Sequence, residues 1–256
     1  MCWAKSGVSK FVIFQDKAYT IERFILALCN RGEHRPLGAS AIVLAGGFSS
    51  RFGRDKGLLD LCGKPLISYV LDAVTGIVDE KIVVVSNKEQ LSRYSNVVLS
   101  KNARVIPDRT NIHSPLMGAL TGFEEASLEY TLLLPCDTPF ISRDILSLLL
   151  ELCKGQNACI PRWPNGYVEP LQAAYRKEAA LKASTAALAE CLLNVQAMVD
   201  RLRCVRYVST LVLKQVDAEL RTFLNVNTPL DLKTAERTMD KQGPRRPGRY
   251  QEKRSC

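Results

Sequence analysis

The sequence predicts an α/β domain on a mostly parallel sheet, and three features of residues 40–240 carry that prediction. Short apolar runs alternate with stretches whose apolar residues recur at helical spacing. The runs are continuous rather than alternating with polar residues, as expected of strands buried on both faces. Several end in glycine, proline or aspartate, where a strand gives way to a loop. Right-handed crossovers between such strands give a Rossmann-like, doubly wound arrangement with helices on both faces. Ligands in such sheets sit beyond the carboxyl ends of the strands, so function is sought in the loops that follow them.

SAIVLAGG (40–47) reads as the first buried strand, running into glycines. PLISYVLDAV (65–74) reads as a helix with Pro65 in its first turn, where a missing N–H costs nothing. KIVVVSN (81–87) and RVIPD (104–108) are the next strands, and SPLMGALTGFEEAS (114–127) is helical, again with proline just inside the start. YTLLLPCD (130–137) is a fourth strand and ISRDILSLLLELC (141–153) an amphipathic helix. NACIPR (157–162) and VEPLQAAY (168–175) read as strands, the second suited to an edge or bulge because Pro170 cannot donate to a ladder. Helices at 177–190 and 194–202, a strand CVRYVS (204–209) and a last helix from Pro229 complete the order. The loops 45–56, 107–116 and 136–140 all follow strands and are expected to line one crevice.

Two flanks lie outside this pattern. Residues 1–39 form an extension whose single amphipathic stretch (Ile21, Phe24, Ile25, Leu28) points to no role, and 241–256 form a basic Pro-, Gly- and Arg-rich tail expected to be disordered. The net charge of +9 belongs to these ends: six basic and three acidic residues lie in 1–39, and six and one in 241–256. The domain at 40–240 is nearly neutral, which argues against a nucleic-acid groove. No apolar run approaches the roughly 20 residues of a membrane span, and the amino terminus lacks the pattern of a secretory signal. Nine cysteines without a C-x-x-C pair fit neither a disulfide framework nor a zinc site. Reduced thiols in the cytoplasm are the expectation. His34 and His113 are isolated and read as surface or loop residues.

LAGGFSSRFGRDK (44–56) carries the first chemistry. Gly46, Gly47 and Gly53 let backbone N–H groups wrap a polyphosphate, and Arg51 and Lys56 add positive charge. Neither the dinucleotide fingerprint G-x-G-x-x-G nor the Walker pattern G-x-x-x-x-G-K-[ST] fits. In LLLPCDTPF (132–140), Asp137 stands at the carboxyl end of a buried strand, where a carboxylate can hold Mg²⁺ between phosphate oxygens. Its plainer reading is a turn aspartate. In FLNVNTPLDL (223–232), Thr228 and Asp231 have capping-box spacing, which alone accounts for the segment. Cys136 has no histidine partner and reads as strand packing.

The stretch LAGGFSSRFGRDKGLLDLCGKPL resembles the signature loop of the molybdenum cofactor guanylyltransferase (MobA-type) nucleotidyltransferases, a pattern L-x-G-G-x-x-x-R-[MF]-G-x-D-K followed by G-K-P-L. The resemblance spans roughly residues 40–238 and implies the nucleotidyltransferase fold. It implies that Gly46, Gly47, Arg51, Gly53 and Lys56 hold the triphosphate of GTP, with Leu44 and Ala45 also in the nucleotide site, and that Asp137 carries Mg²⁺. It further implies Asn227 as a second metal ligand with Asn225 in support, and Asp108 as acceptor for the guanine edge. Ser114 and Met117 depart from the family's G-P-L-x-G, which bears on base identity. PNGYVEPLQAAYRKEA (164–179) resembles the acceptor-side segment. An arginine that many members place before the penultimate helix is replaced near Asn194, with Arg201 and Arg203 as nearby substitutes.

The implied reaction is Mg²⁺-dependent transfer of GMP from GTP to the phosphate of molybdopterin, with release of pyrophosphate. Lys56, Arg51 and Asp137 would carry it by positioning and charge offset rather than by a covalent step. Competing readings are cytidylyl transfer from CTP to molybdopterin, or guanylyl transfer to adenosylcobinamide phosphate or phospholactate. A non-catalytic module docking a molybdoenzyme or cofactor-insertion partner through the basic ends is a reading of another class. Retention of Lys56, Asp137 and Asn227 together argues against it. A Rossmann oxidoreductase fails for lack of its glycine pattern and of an acidic residue after the second strand.

Overall fold

A computed structural model describes residues 11–13, 38–46, 48–49, 54–109 and 114–242. The strands, in chain order, are β1 (Phe11–Ile13), β2 (Ala39–Leu44), the short pieces β3 (Phe48–Ser49), β4 (Arg54–Asp55), β5 (Asp60–Leu61) and β6 (Lys64–Pro65), then β7 (Glu80–Val85), β8 (Arg104–Pro107), β9 (Tyr130–Pro135), β10 (Ala158–Arg162), β11 (Ala173–Arg176) and β12 (Val205–Ser209). The helices are α1 (Leu66–Val74), α2 (Lys88–Leu99), α3 (Pro115–Glu125), α4 (Arg143–Cys153), α5 (Lys177–Ala189), α6 (Val195–Arg201), α7 (Thr210–Leu213) and α8 (Pro229–Gln242). The main sheet has the order β1-β12-β10-β11-β9-β2-β7-β8. Only β11 runs antiparallel to its neighbours.

β2 lies between β7 and β9, with Ile42 opposite Ile82 on one side and Leu133 on the other. Those three residues share one core with Phe123 of α3, Ala180 of α5 and Met198 of α6. Their neighbours Val43, Val83, Leu132 and Leu134 face the opposite side, against Val70 and Leu71 of α1, Tyr94 of α2 and Ile145 and Leu149 of α4. Two dry faces on one sheet explain the uninterrupted apolar strands. A third, smaller cluster joins Leu61 of β5, Leu66 of α1, Ala235 of α8 and Val226 just before that helix. It seats the last helix on the β5–β6 hairpin, beside the loop that follows β2.

Besides the short pieces β3 to β6 and α7, which the sequence reading lacks, three elements differ from it. α2 is absent from it because KEQLSRYSNVVL is polar over most of its surface, and only Gln90, Tyr94 and Val98 are buried. The expected strand at 168–175 is shortened to Ala173–Arg176, and it lies inside the sheet rather than at an edge. Pro170, which lacks the N–H a ladder needs, stays outside it. β1, within the 1–39 extension, adds to the sheet beside β12. Residues 243–256 of the tail, and both histidines, lie outside the described residues. Among those described, no helix is long and apolar enough to cross a membrane, and six cysteines are unbonded.

Candidate active site

The backbone just past the strand ends is stitched together at one edge of the sheet. Ala45 N donates to Val84 O at 2.8 Å, Cys136 N to Leu44 O at 3.2 Å, and Asp108 N to Val85 O at 2.7 Å. Ala45 is buried, Leu44 half-buried and Gly46 exposed. A Cβ on Gly46 would lie 2.6 Å from Ser86 Oγ, so close approach to the end of β7 is what demands glycine here. Gly47, Arg51 and Gly53 lie outside the described residues. Further on, β3 pairs with β4 and the chain turns through a 3-10 segment, Lys56–Leu58. Gly57 is buried, and a Cβ there would lie 2.7 Å from Tyr94 Oη and 3.2 Å from Cys136 Sγ. The backbone beside Lys56 is thereby seated against α2 and the end of β9.

The Lys56 ammonium donates to Asp137 Oδ2 and, at 2.6 Å, to Asn227 Oδ1. Three segments far apart in sequence meet at that nitrogen. Asp137 is nearly buried, and its Oδ1 has no hydrogen-bond partner among the described residues. Asp137 O also accepts from Val226 N at 2.9 Å, which fastens the loop after β9 to the segment before α8. Asp231 Oδ2 accepts from Asn227 N and Thr228 N at 2.9 and 2.8 Å, and Asp231 N donates to Thr228 Oγ1 at 3.2 Å. Against a desolvation cost, those bonds hold the Asp231 carboxyl below its usual range. The capping box is real, and it fixes the backbone from which Asn227 reaches Lys56. Asn225 is exposed, and among the described residues no hydrogen bond joins it to this trio.

The sequence profile of the family described as MobA-like NTP transferase domain matches residues 41–203. The chain belongs to that family. A protein of Methanosarcina mazei named probable molybdenum cofactor guanylyltransferase is 35% identical over 197 residues, covering 75% of this chain and 88% of its own. One of the same name from Natranaerobius thermophilus is 33% identical over 213 residues, covering 79% and 97%. Among solved structures, molybdopterin-guanine dinucleotide biosynthesis protein A from Archaeoglobus fulgidus superposes with a TM-score of 0.68 at 28% identity, covering 79% of this chain and 99% of that one. The protein is thus a nucleotidyltransferase.

Of the other residues singled out in this MobA-like transferase, some lie at the same edge and some do not. Asp108 follows β8 and accepts from Thr121 Oγ1 of α3 at 2.8 Å, which leaves its Oδ2 without that bond. Gly118 of α3 faces the same place, since a Cβ there would make ordinary contacts, 3.4 Å from Leu44 and 4.0 Å from Asp108 Oδ2. Ser114 caps α3 by accepting from Met117 N at 3.1 Å, a structural reason for serine where relatives of the pattern carry glycine. Asn194 likewise caps α6, accepting from Ala197 N at 2.8 Å. Arg201 pairs with Glu190, and both Arg201 and Arg203 precede β12, at the end of that strand opposite the crevice. Burial pushes the Cys136 thiol far above its ordinary range, so it is packing rather than a nucleophile.

Beyond Asn225, Trp163 packs edge-on against Phe223, ring centroids 5.6 Å apart. Its Nε1 donates to Glu169 Oε1 at 2.6 Å, and burial raises that carboxyl above its usual range. The 163–169 loop is thereby leaned against the segment that leads to Asn227. Ser86, Gln90 and Tyr94 also serve this edge and escaped the sequence reading. The only signal for them is the capping spacing of Asn87 and Gln90.

Proposed function

We propose that this transferase moves GMP from GTP to the phosphate of molybdopterin, releasing pyrophosphate, with Mg²⁺ as cofactor. The observation that carries the reading is the convergence of Lys56, Asp137 and Asn227 at the carboxyl edge of the sheet. A phosphate oxygen of the acceptor attacks the α-phosphorus, and the bond to the bridging oxygen of pyrophosphate breaks. The acceptor phosphate is already ionised at neutral pH, so no general base is needed. The names borne by the relatives support guanine and molybdopterin. A carboxylate at Asp108 suits the adjacent N1–H and 2-amino donors of guanine better than cytosine, which offers one donor beside an acceptor.

A metal fits the residues present. Asp137 and Asn227 supply only oxygen donors, as a hard divalent cation prefers, and Asp137 Oδ1 is a buried acceptor left unused. When bound there, Mg²⁺ offsets negative charge on the α-phosphate. Lys56 and Arg51 offset charge on the departing phosphates, and the backbone around Gly46, Gly47 and Gly53 orients the triphosphate. Acceptor binding falls to the opposite wall, Trp163 to Glu169 with Asn225.

Calorimetric titration of GTP, CTP, ATP and UTP with Mg²⁺, on wild type and Asp137→Asn, tests the reading. A preference for GTP that weakens without Asp137 or Mg²⁺ supports it. Preference for CTP changes the product to the cytosine dinucleotide, and no nucleotide binding at all overturns the function.

A further inference from the structure

We propose that Gln90 is a positioning residue for the nucleotide: its amide ties the turn that carries Lys56 to the end of β7 and thereby fixes where the Lys56 ammonium stands. The inference rests on the proposed role of the 45–56 loop and assigns the residue that holds that loop in register. Asp55, one residue before Lys56, is 2% exposed, and a buried carboxylate is tolerated only when it is paired. Among the described residues, both partners that reach it come from α2. Gln90 Nε2 donates to Oδ1 at 2.6 Å, and the Arg93 guanidinium lies 3.1 Å from Oδ2 without the alignment of a hydrogen bond. Gln90 is equally buried, and its Oε1 accepts from Ser86 N at 2.8 Å. One amide spans two segments that are separated by some thirty residues of chain.

A plainer reading is a capping box, since Asn87 Oδ1 accepts from Gln90 N at 2.9 Å. In that motif the third residue folds back on the cap's own N–H. Here it takes the N–H of Ser86, one residue earlier, and gives its amine to Asp55, which no helix cap requires. The same face of α2 meets the loop at two further points. Tyr94, one turn on, lies against Gly57, and its hydroxyl approaches Ala45 O at 3.4 Å. Ser86, held by Gln90, abuts Gly46. One helix face therefore grips the loop where it leaves β2 and where it returns at Asp55–Gly57.

The test uses the full chain and three variants: Gln90→Leu, Gln90→Glu, and Gln90→Glu combined with Asp55→Asn. Leucine removes both bonds at similar volume. Glutamate keeps the acceptor for Ser86 N but sets a second carboxylate against Asp55. The double variant restores the bond with donor and acceptor exchanged, the amide now at position 55 and the carboxylate at position 90. Calorimetric Kd for GTP with Mg²⁺, KM for each substrate and the thermal midpoint are read. Expected is a rise of about tenfold or more in Kd and KM for GTP in both single variants, the size of a lost hydrogen bond to a charged group. KM for the acceptor stays near wild type, and the exchanged pair recovers most of the GTP affinity. Equal GTP affinity in wild type and Gln90→Leu overturns the inference alone. So does failure of the exchanged pair to recover, or a parallel rise in both KM values that tracks a lower midpoint. A wild type that binds none of the four triphosphates overturns the proposed function as well.

Discussion

Lys56 donates to Asp137 Oδ2 and to Asn227 Oδ1, on the two side chains proposed to hold the metal, and leaves only Asp137 Oδ1 unused. Metal is expected to enter with the nucleotide, whose phosphates draw Lys56 away. Asp137→Asn should abolish turnover with the thermal midpoint near that of wild type, because the backbone bond from Val226 to residue 137 survives the change. Near wild-type turnover in that variant would remove Asp137 from the site. Lys56→Ala should lose at least ~2–3 kcal/mol of transition-state stabilisation, read as the drop in kcat/KM. A drop of less than about threefold would take Lys56 off the phosphates. At this scale Lys56 stood out in a dense local motif, whereas Asp137 read equally as a turn aspartate and Asn227 was named only through the family resemblance; the fold is what brings the three side chains together. Gln90 was not legible: its work depends on Asp55, brought to it only by the fold.

Elements were legible to the degree that they bury an uninterrupted apolar run. β2, β7 and β9 announce themselves, whereas α2 shows the core only three side chains and reads as a connection. β11 misled because its apolar pattern extends past Pro170, whereas its ladder begins at Ala173. Packing between elements is tightest where α3 crosses β2. A Cβ on Gly122 would lie 2.3 Å from Ile42 Cγ2, in the middle of the sheet. Gly122→Ala should therefore destabilise by about 1–3 kcal/mol through overpacking, despite the better helix propensity of alanine. A midpoint in urea at or above that of wild type would show that α3 can shift freely.

At the amino end of β7, Glu80 accepts from Ser40 Oγ of β2 and from Ser127, and pairs with Arg104 of β8. Despite a desolvation cost, these bonds lower its pKa below the ordinary 4.5. A depressed carboxyl stabilises fully above its unfolded value, and that stability is lost as pH falls through the native value. Denaturant midpoints should thus fall below pH 4.5 more steeply for wild type than for Glu80→Gln. Identical pH profiles would leave Glu80 without a share in acid stability.

For the molecule as a whole, the sheet order separates function from the chain's ends. β1 lies at the far edge beside β12, with β12, β10, β11 and β9 between it and β2. Its contribution is a three-residue parallel ladder, Phe11 to Ile13 against Arg206 to Val208. The nucleotide loop draws its supports from β7, α2, β9 and the segment before α8, none of which touches that edge strand's ladder. Much of the net charge of +9 also resides outside 40–240, and the proposed triphosphate site draws none of its named residues from those ends. Removing residues 1–37 should lower the thermal midpoint while leaving Kd for GTP with Mg²⁺ within about twofold, well under the tenfold of 1.4 kcal/mol. Removing 243–256, past the end of α8, should change neither. Should either truncation weaken nucleotide binding tenfold, the ends take part in the site, and the charge they carry would be the first feature to examine by titrating salt.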